Sequence, residues 1–258
     1  MKKINFSKWV IWGVSFYLLV PLVLTFLYSF FSEWIDILPS GFTLKYYNSV
    51  LPRQDFYMSI ARTLFVCIAT IVLTGIIMLL AMYVVVVYYP QLYKYLQALC
   101  MIPYALQGII IAIGILTLYS GGKGILGNRL IMLIGTYCII ILPYMYQGIS
   151  NALRAVNARR LIEAAQILGT TRLYAFFRII VPNILSGIII SSMLSMGIIF
   201  GDFVVVNTII GSSYQTASIF LYKSMAQSGQ ITSVVIVVMF IITLALSKLA
   251  FGSRNENH

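Results

Sequence analysis

The sequence predicts an all-α, polytopic membrane protein with six transmembrane helices, and three observations carry that prediction. The 258 residues are 61% hydrophobic and only 9% charged, with a mean hydropathy of +0.97, whereas soluble domains carry about a quarter charged residues. The apolar residues fall in runs of about 20 or more, the length a helix needs to cross the hydrocarbon core of a bilayer. Short polar stretches that hold most of the charge separate those runs.

Taken in order, the first span is expected at 9–31, with Trp9 and Trp12 at one end and Trp34 just past the other, where amphipathic rings settle at a membrane interface. Lys2, Lys3 and Lys8 precede it as in a signal peptide, but the run is too long for a signal's apolar core and lacks a small-x-small cleavage site, so it reads as an uncleaved span. Pro21 is expected to kink it. Residues 32–59 carry Glu33, Asp36 and Asp55 beside Pro39, Gly41 and Pro52, which is too polar for hydrocarbon and reads as an external loop. The second span is expected at 60–87, ending in the interfacial Tyr88-Tyr89-Pro90. The third is expected at 96–118, made irregular by Pro103 and Gly108. Gly121-Gly122-Lys123-Gly124 has neither the spacing of a phosphate-binding loop nor a Ser or Thr after its lysine, so it reads as a glycine-rich connection. Spans four to six are expected at 130–149, 183–207 and 233–251, with a basic segment, 151–182, between the fourth and fifth.

The charge balance sets the orientation. An excess of 17 Lys and Arg over 6 Asp and Glu reads, in a chain this apolar, as anchoring to the cytoplasmic side, and no nucleic-acid partner is expected. With both termini inside, the inner segments hold Lys2, Lys3, Lys8, Lys94, Arg154, Arg159, Arg160, Arg172, Arg178, Lys248 and Arg254, most of the basic residues, as the positive-inside rule requires. Cys67, Cys100 and Cys138 lie in apolar runs without paired spacing and read as packing residues, so neither a disulfide framework nor a metal site is expected. The single histidine is His258 at the tail. With acidic residues scarce inside the spans, no catalytic residue and no cofactor is expected.

Segment 151–182 is patterned. Leu153, Val156, Leu161, Ala164, Ala165 and Leu168 recur near helical spacing beside Arg154, Arg159, Arg160 and Glu163, which predicts a short amphipathic helix. Gly169 is placed as its C-terminal stop, Thr170 or Thr171 can cap a second short helix, and Pro182 is expected to close that one. By composition alone, a basic helix lying in lipid headgroups is an equal reading. The order Glu163-Ala164-Ala165, three residues, Gly169, nine residues, Ile179-Ile180-Val181-Pro182 resembles the EAA loop of type I ABC-importer permeases, E-A-A-x3-G-x9-I-x-L-P, with Val181 where that pattern has Leu. The six-span layout and the loop's place before the penultimate span resemble the same family, so the likeness covers essentially the whole chain. It implies the MetI-like permease architecture in a bacterial cell membrane. It also implies that Glu163, Ala164, Ala165, Gly169 and Pro182 form a coupling element docking on a cytoplasmic ABC ATPase dimer. A second permease subunit, homologous or identical, and an extracytoplasmic solute-binding protein complete the set that the resemblance implies. The residue chemistry agrees: small Ala164 and Ala165 permit close approach, Gly169 permits a sharp turn, and Glu163 can accept from cap amides or a partner's Arg.

For the solute path, Asp202 is the main candidate, because an ionisable group inside a span costs about 3 kcal/mol on insertion scales and is rare without a role. Gly197 and Gly201 precede it at small-xxx-small spacing, allowing close helix packing or local unwinding. Equally, Asp202 could sit in interfacial water or pair with Arg62 or Arg129. Asn207, Gln107 and Ser195 are weaker candidates. The Asp202-Phe203 step and the stretch Gly41-Phe42-Thr43-Leu44-Lys45-Tyr46-Tyr47 are similar to the branch of these permeases that carries polyamines, ferric iron, thiamine and phosphonates, which implies a small charged solute. The competing reading is an ion-gradient-driven secondary transporter, which needs acidic residues or unwound helices at mid-membrane. The chain has no phosphate-binding loop, so ATP hydrolysis is expected in a partner.

Overall fold

The computed structural model describes residues 6–33, 40–122, 124 and 127–252, and Lys2, Lys3, Trp34, Asp36, Pro39, Lys123, Arg254 and His258 lie outside them. In chain order the elements are α1 (Phe6–Tyr28), a hairpin of β1 (Phe31–Glu33) and β2 (Ser40–Phe42), α2 (Lys45–Val50), α3 (Gln54–Val87), α4 (Tyr93–Ala105), α5 (Gly108–Tyr119), α6 (Arg129–Ala155), α7 (Ala158–Ile167), α8 (Arg172–Asn183), α9 (Leu185–Gly201), α10 (Val204–Ile209), α11 (Ala217–Met225) and α12 (Gly229–Gly252). Helices dominate because a chain in hydrocarbon must satisfy every backbone amide and carbonyl from within its own segment. Among the described residues, four helices are long and apolar enough to cross a membrane singly: α1, α3, α6 and α12.

The expected third span is a bent pair, and the expected fifth is entered from α8 at a second bend. α4 and α5 meet at 97°, where Leu106 is extended at φ −100°, ψ 133° and Gln107 opens α5. Pro103 lacks the amide that would continue the ladder and Gly108 favours a break, so the irregularity expected at those two residues is a sharp corner. α8 and α9 meet at 64°, and α9 stops at Gly201, so the helix expected to run to Asn207 is interrupted at Asp202. In the first expected span, α1 is one helix that runs on through Pro21, the residue where a kink was expected. The region 32–59 is more ordered than a plain loop, holding the hairpin, α2 and the first turns of α3.

The residues separate into two compact units, one formed by Met1–Ser59 with Phe220–Ala245, the other by Ile60–Ile219 with Leu246–His258. In the first, the hairpin pairs Phe31 with Phe42. Phe30 stacks on Phe42 and Tyr47 at 5.8 and 5.1 Å, and Ser29 Oγ shares a 2.8 Å hydrogen bond with the Tyr47 hydroxyl. Gln230 Nε2 donates to the Ser32 carbonyl at 3.3 Å, and Phe56 packs on Phe220 at 5.3 Å.

The second unit is built on α6. Leu133, Tyr137, Ile141, Met145 and Ile149, each four residues on from the last, are fully buried, so this helix carries its apolar stripe into the core and the others pack round it. Its tightest crossing is with α9. A Cβ placed on Gly148 would lie 2.3 Å from Ser191 Cβ, and one on Gly187 would lie 2.5 Å from Ala152 Cβ. Gly148 and Ala152 on one helix, and Gly187 and Ser191 on the other, are small residues four apart that let the backbones approach. The close approach considered for Gly197 and Gly201 lies here instead, since nothing stands within 4 Å of a Cβ at either of them.

Candidate functional site: the inter-helix loop and two helix breaks

α6 ends at Ala155 and the chain turns through Asn157, a left-handed residue at φ 48°. α7 then buries Ala158, Ile162 and Ala165, spaced four and three apart, against α8, where Phe176 and Ile180 are fully buried. The face expected from periodicity is therefore partly reversed. Ala165 faces inward, whereas Leu161, Ala164 and Leu168 lie on the exposed side. Ile167 and Leu168, 87% and 84% exposed, project from the end of α7.

Gly169 ends α7 as expected. Its φ is +84°, its amide donates to the Gln166 carbonyl at 2.9 Å, and the Thr170 amide reaches back to the Ala165 carbonyl at 3.1 Å. That paired pattern is a Schellman cap, which needs a left-handed residue at its centre. Thr171 is the cap of α8, its Oγ1 accepting from the Tyr174 amide at 3.3 Å. Pro182, expected to close α8, is exposed and lies within it, since the helix continues to Asn183. Ala175–Ile180 takes the wider π-helical turn ahead of the proline, and Asn183 Nδ2 donates to the Ile179 carbonyl at 2.8 Å.

Glu163 is exposed and accepts from Arg159 Nε at 3.0 Å on the same helix, not from a cap amide. A solvated pair of this kind leaves the carboxylate available to an incoming donor at little cost. An aromatic group that the sequence reading missed holds the loop to the end of α3. Tyr83 lies 5.1 Å from Phe176 and 5.9 Å from Phe177, and the Arg172 guanidinium sits 5.6 Å over the Tyr88 ring. Aromatic pairs in sequence segments more than ninety residues apart carry no periodic signal, so only their side chains' meeting reveals them.

The second region is where α9 gives way to α10. Asp202 is extended, and its Oδ1 accepts from the amides of Val204 at 2.9 Å and Val205 at 3.2 Å, capping α10. Its backbone carbonyl accepts from Ser218 Oγ at 3.0 Å. The buried hydroxyl of Tyr137 lies close enough to interact with the carboxylate electrostatically, without a hydrogen bond of standard geometry. Arg62, considered as a partner of Asp202, lies instead over the Tyr214 ring at 5.2 Å.

Gln107, at the corner between α4 and α5, is exposed. The next residue abuts α10, for a Cβ on Gly108 would stand 3.1 Å from Val205 Cγ2. The structure thus brings the two helix breaks, one at Leu106–Gln107 and one at Asp202–Phe203, to neighbouring positions. Asn207 is exposed on α10. Ser195 is apart from these, fully buried with its hydroxyl donating to the Ser191 carbonyl at 2.8 Å. Among the described residues no group of His, Cys, Asp and Glu could hold a metal ion.

Residues 71–253 match the family described as "Binding-protein-dependent transport system inner membrane component". The chain is 22% identical over 248 residues to the "Putative 2-aminoethylphosphonate transport system permease protein PhnV" of Salmonella typhimurium (strain LT2), covering 93% of this chain and 91% of that one. It is also 22% identical over 249 residues to the spermidine/putrescine transport system permease protein PotC of Escherichia coli (strain K12), covering 93% and 92%. Two solved structures share the fold. One is a bacterial ABC transporter involved in import of the acidic polysaccharide alginate (TM-score 0.68, 15% identity, 97% and 96% of the two chains). The other is a bacterial alginate ABC transporter in complex with an alginate-pentasaccharide-bound periplasmic protein (TM-score 0.67, 14% identity, 95% and 93%). The match decides against the gradient-driven reading: the chain belongs to the family of binding-protein-dependent transport system inner membrane components, as a non-catalytic permease subunit of an ABC importer that works with a solute-binding protein and an ATPase.

Proposed function

We propose that residues 151–182 are the cytoplasmic coupling element of this importer and that the paired helix breaks at Gln107 and Asp202 border its solute path. The observation that carries the first part is the end of α7, where Glu163, Ala164, Ile167 and Leu168 are exposed together just before the rigid turn at Gly169. An ATPase groove that covers Ile167 and Leu168 removes apolar surface from water, and the small Ala164 lets the groove wall come close. The packing of Ala158, Ile162 and Ala165 on α8, with Pro182 within the same helical stretch, supports transmission of a push at α7 into α6 and α9, the two helices that leave the loop.

In this reading both termini and the loop face the cytoplasm, the spans are those given above, with 96–118 bent between α4 and α5 and 183–207 entered from α8 at a bend and interrupted at Asp202, and a second permease, homologous rather than identical, completes the path. The extracytoplasmic side receives a solute-binding protein. Asp202, Gln107 and Asn207 are the side chains offered to the solute. An acidic group at the break favours a cationic or zwitterionic small solute, a class that includes the amines and aminophosphonates for which the two curated relatives are named.

The test is pull-down of the detergent-solubilised transporter on its ATPase, together with ATP-dependent uptake, for the native chain and for Glu163→Lys and Gly169→Pro. The expected result is loss of ATPase retention and uptake with normal membrane insertion. Retention of the ATPase by both variants sinks the coupling assignment.

A further inference from the structure

We propose that the arginine-lined cavity beside the start of α7 is a binding site for a phosphate group carried by an anionic lipid, so that the coupling loop is seated on a phospholipid as well as on protein. The cavity, about 400 Å³, is lined by Val86 from α3, Tyr93 from α4, Ser150, Leu153 and Arg154 from α6, and the Asn157-to-Arg160 stretch that opens α7. Three arginines line it, and no acidic residue does.

Two features make it a built site instead of a solvated charge run. Arg154 is held in place, its Nε donating to the Tyr93 hydroxyl at 2.9 Å and its guanidinium lying 4.8 Å over the same ring. The Tyr93 hydroxyl is fixed in turn by a hydrogen bond shared with Ser150 Oγ. The remaining guanidinium nitrogens of Arg154 stay free for a planar two-point contact, the geometry that suits phosphate oxygens. Arg159 spends part of its charge on Glu163, while Arg160 has no carboxylate partner among the described residues. The floor, in contrast, is apolar, formed by Val86, Leu153 and Ala158. A cationic rim over an apolar floor fits a glycerophosphate headgroup with the beginning of its acyl chains better than it fits a fully hydrated ion. The inference rests on the reading that this loop faces the cytoplasm, where the anionic leaflet supplies such lipids.

The experiment uses the assembled transporter in detergent, stripped of lipid, without solute or ATP, so that its outcome is independent of whether α7 couples to the ATPase. Binding is followed by native mass spectrometry and by melting temperature as phosphatidylglycerol, phosphatidylcholine or inorganic phosphate is added. Phosphatidylglycerol is expected to bind and to raise the melting temperature, phosphatidylcholine much less. The double variant Arg154→Gln/Arg160→Gln is expected to bind phosphatidylglycerol about 30-fold more weakly, which corresponds to about 1 kcal/mol for each arginine near an anionic headgroup. Arg129→Gln, at the far end of α6, is the control for general charge loss. Arg154→Lys/Arg160→Lys is the control for folding, expected to retain the charge attraction but to lose the two-point preference.

Equal binding of phosphatidylcholine, or undiminished phosphatidylglycerol binding by the double Gln variant, overturns the proposal. Saturation by inorganic phosphate at low millimolar concentration, with no further gain from lipid, moves the assignment from a headgroup to a soluble phosphate and overturns the lipid part. Loss of the ATPase from the double Gln variant with lipid binding unchanged assigns the arginines to the ATPase contact and likewise overturns it.

Discussion

Gly148→Ala tests how the loop is anchored, because α6 leads into it and α9 leaves it, and the two helices cross most closely at this glycine. The added Cβ would stand 2.3 Å from Ser191 Cβ and 3.1 Å from the Gly187 carbonyl oxygen. Carbon atoms in contact prefer about 3.5–4.0 Å, so the helices must part by about an ångström, and Ser191 Cβ cannot rotate away because it is fixed to its own backbone. Overpacking of this kind costs about 1–3 kcal/mol, and a clash set by backbone belongs at the upper end. Replacing a helical glycine by alanine returns about 1 kcal/mol. The net expectation is about 2 kcal/mol of destabilisation, or a fall of about 4–8 °C in melting temperature for a chain of this size. The assay is the loss of the monodisperse gel-filtration peak after heating the solubilised transporter. The decisive control is Gly148→Ala/Ser191→Gly, which removes the obstructing atoms and should recover most of the loss, leaving a coupling of about 2 kcal/mol between the two sites. If Gly148→Ala melts with the native protein, or if the two substitutions add independently, the contact does not exist as described.

Four further outcomes follow from the same geometry. Gly169→Ala places a Cβ at φ +84° with open space around it, so the cost is backbone strain of about 1–2 kcal/mol, and Gly169→Asn should cost less because Asn tolerates left-handed backbone; melting temperatures and ATP-dependent uptake read both. Ile167→Asp should leave the melting temperature within about a degree, since the side chain touches little, while ATPase retention in pull-down falls sharply. Asp202→Asn keeps an acceptor for the Val204 and Val205 amides and should melt near native, whereas Asp202→Ala loses the cap at about 1 kcal/mol. Uptake of a cationic solute that is impaired equally by both substitutions supports Asp202 in the path, and normal uptake by the Asn variant removes it. Gly197→Ala, with nothing within 4 Å of the new Cβ, should be neutral or slightly stabilising by the same heating assay, in contrast to Gly148→Ala.

Much of the loop was legible in advance for local reasons. Gly169 and Thr171 act where the sequence placed them because left-handed turns and helix caps are decided within three or four residues. Which face of α7 is buried was not legible, since Leu161, Ala164 and Leu168 match helical spacing as well as Ala158, Ile162 and Ala165 do; only the position of Phe176 and Ile180 on α8 chooses between them. The α6–α9 crossing had a readable signature, Gly148 and Ala152 with Gly187 and Ser191, but small residues four apart also occur at Gly197 and Gly201, where nothing packs closely.

By itself the sequence determined that this chain lies in a bilayer, roughly where its apolar segments lie, and which inter-helix segment carries a helix, a glycine stop and a threonine cap, because hydropathy, length and turn chemistry act locally along one dimension. The tertiary structure alone decided that the third segment bends sharply and that the fifth meets the loop helix α8 at a bend and breaks at Asp202, that Asp202 caps a helix beside the corner at Gln107, and that Tyr93, Arg154 and Arg160 gather round one cavity. Those features depend on contacts between residues far apart in the chain, and only the packed helices define which of many compatible partners each residue meets.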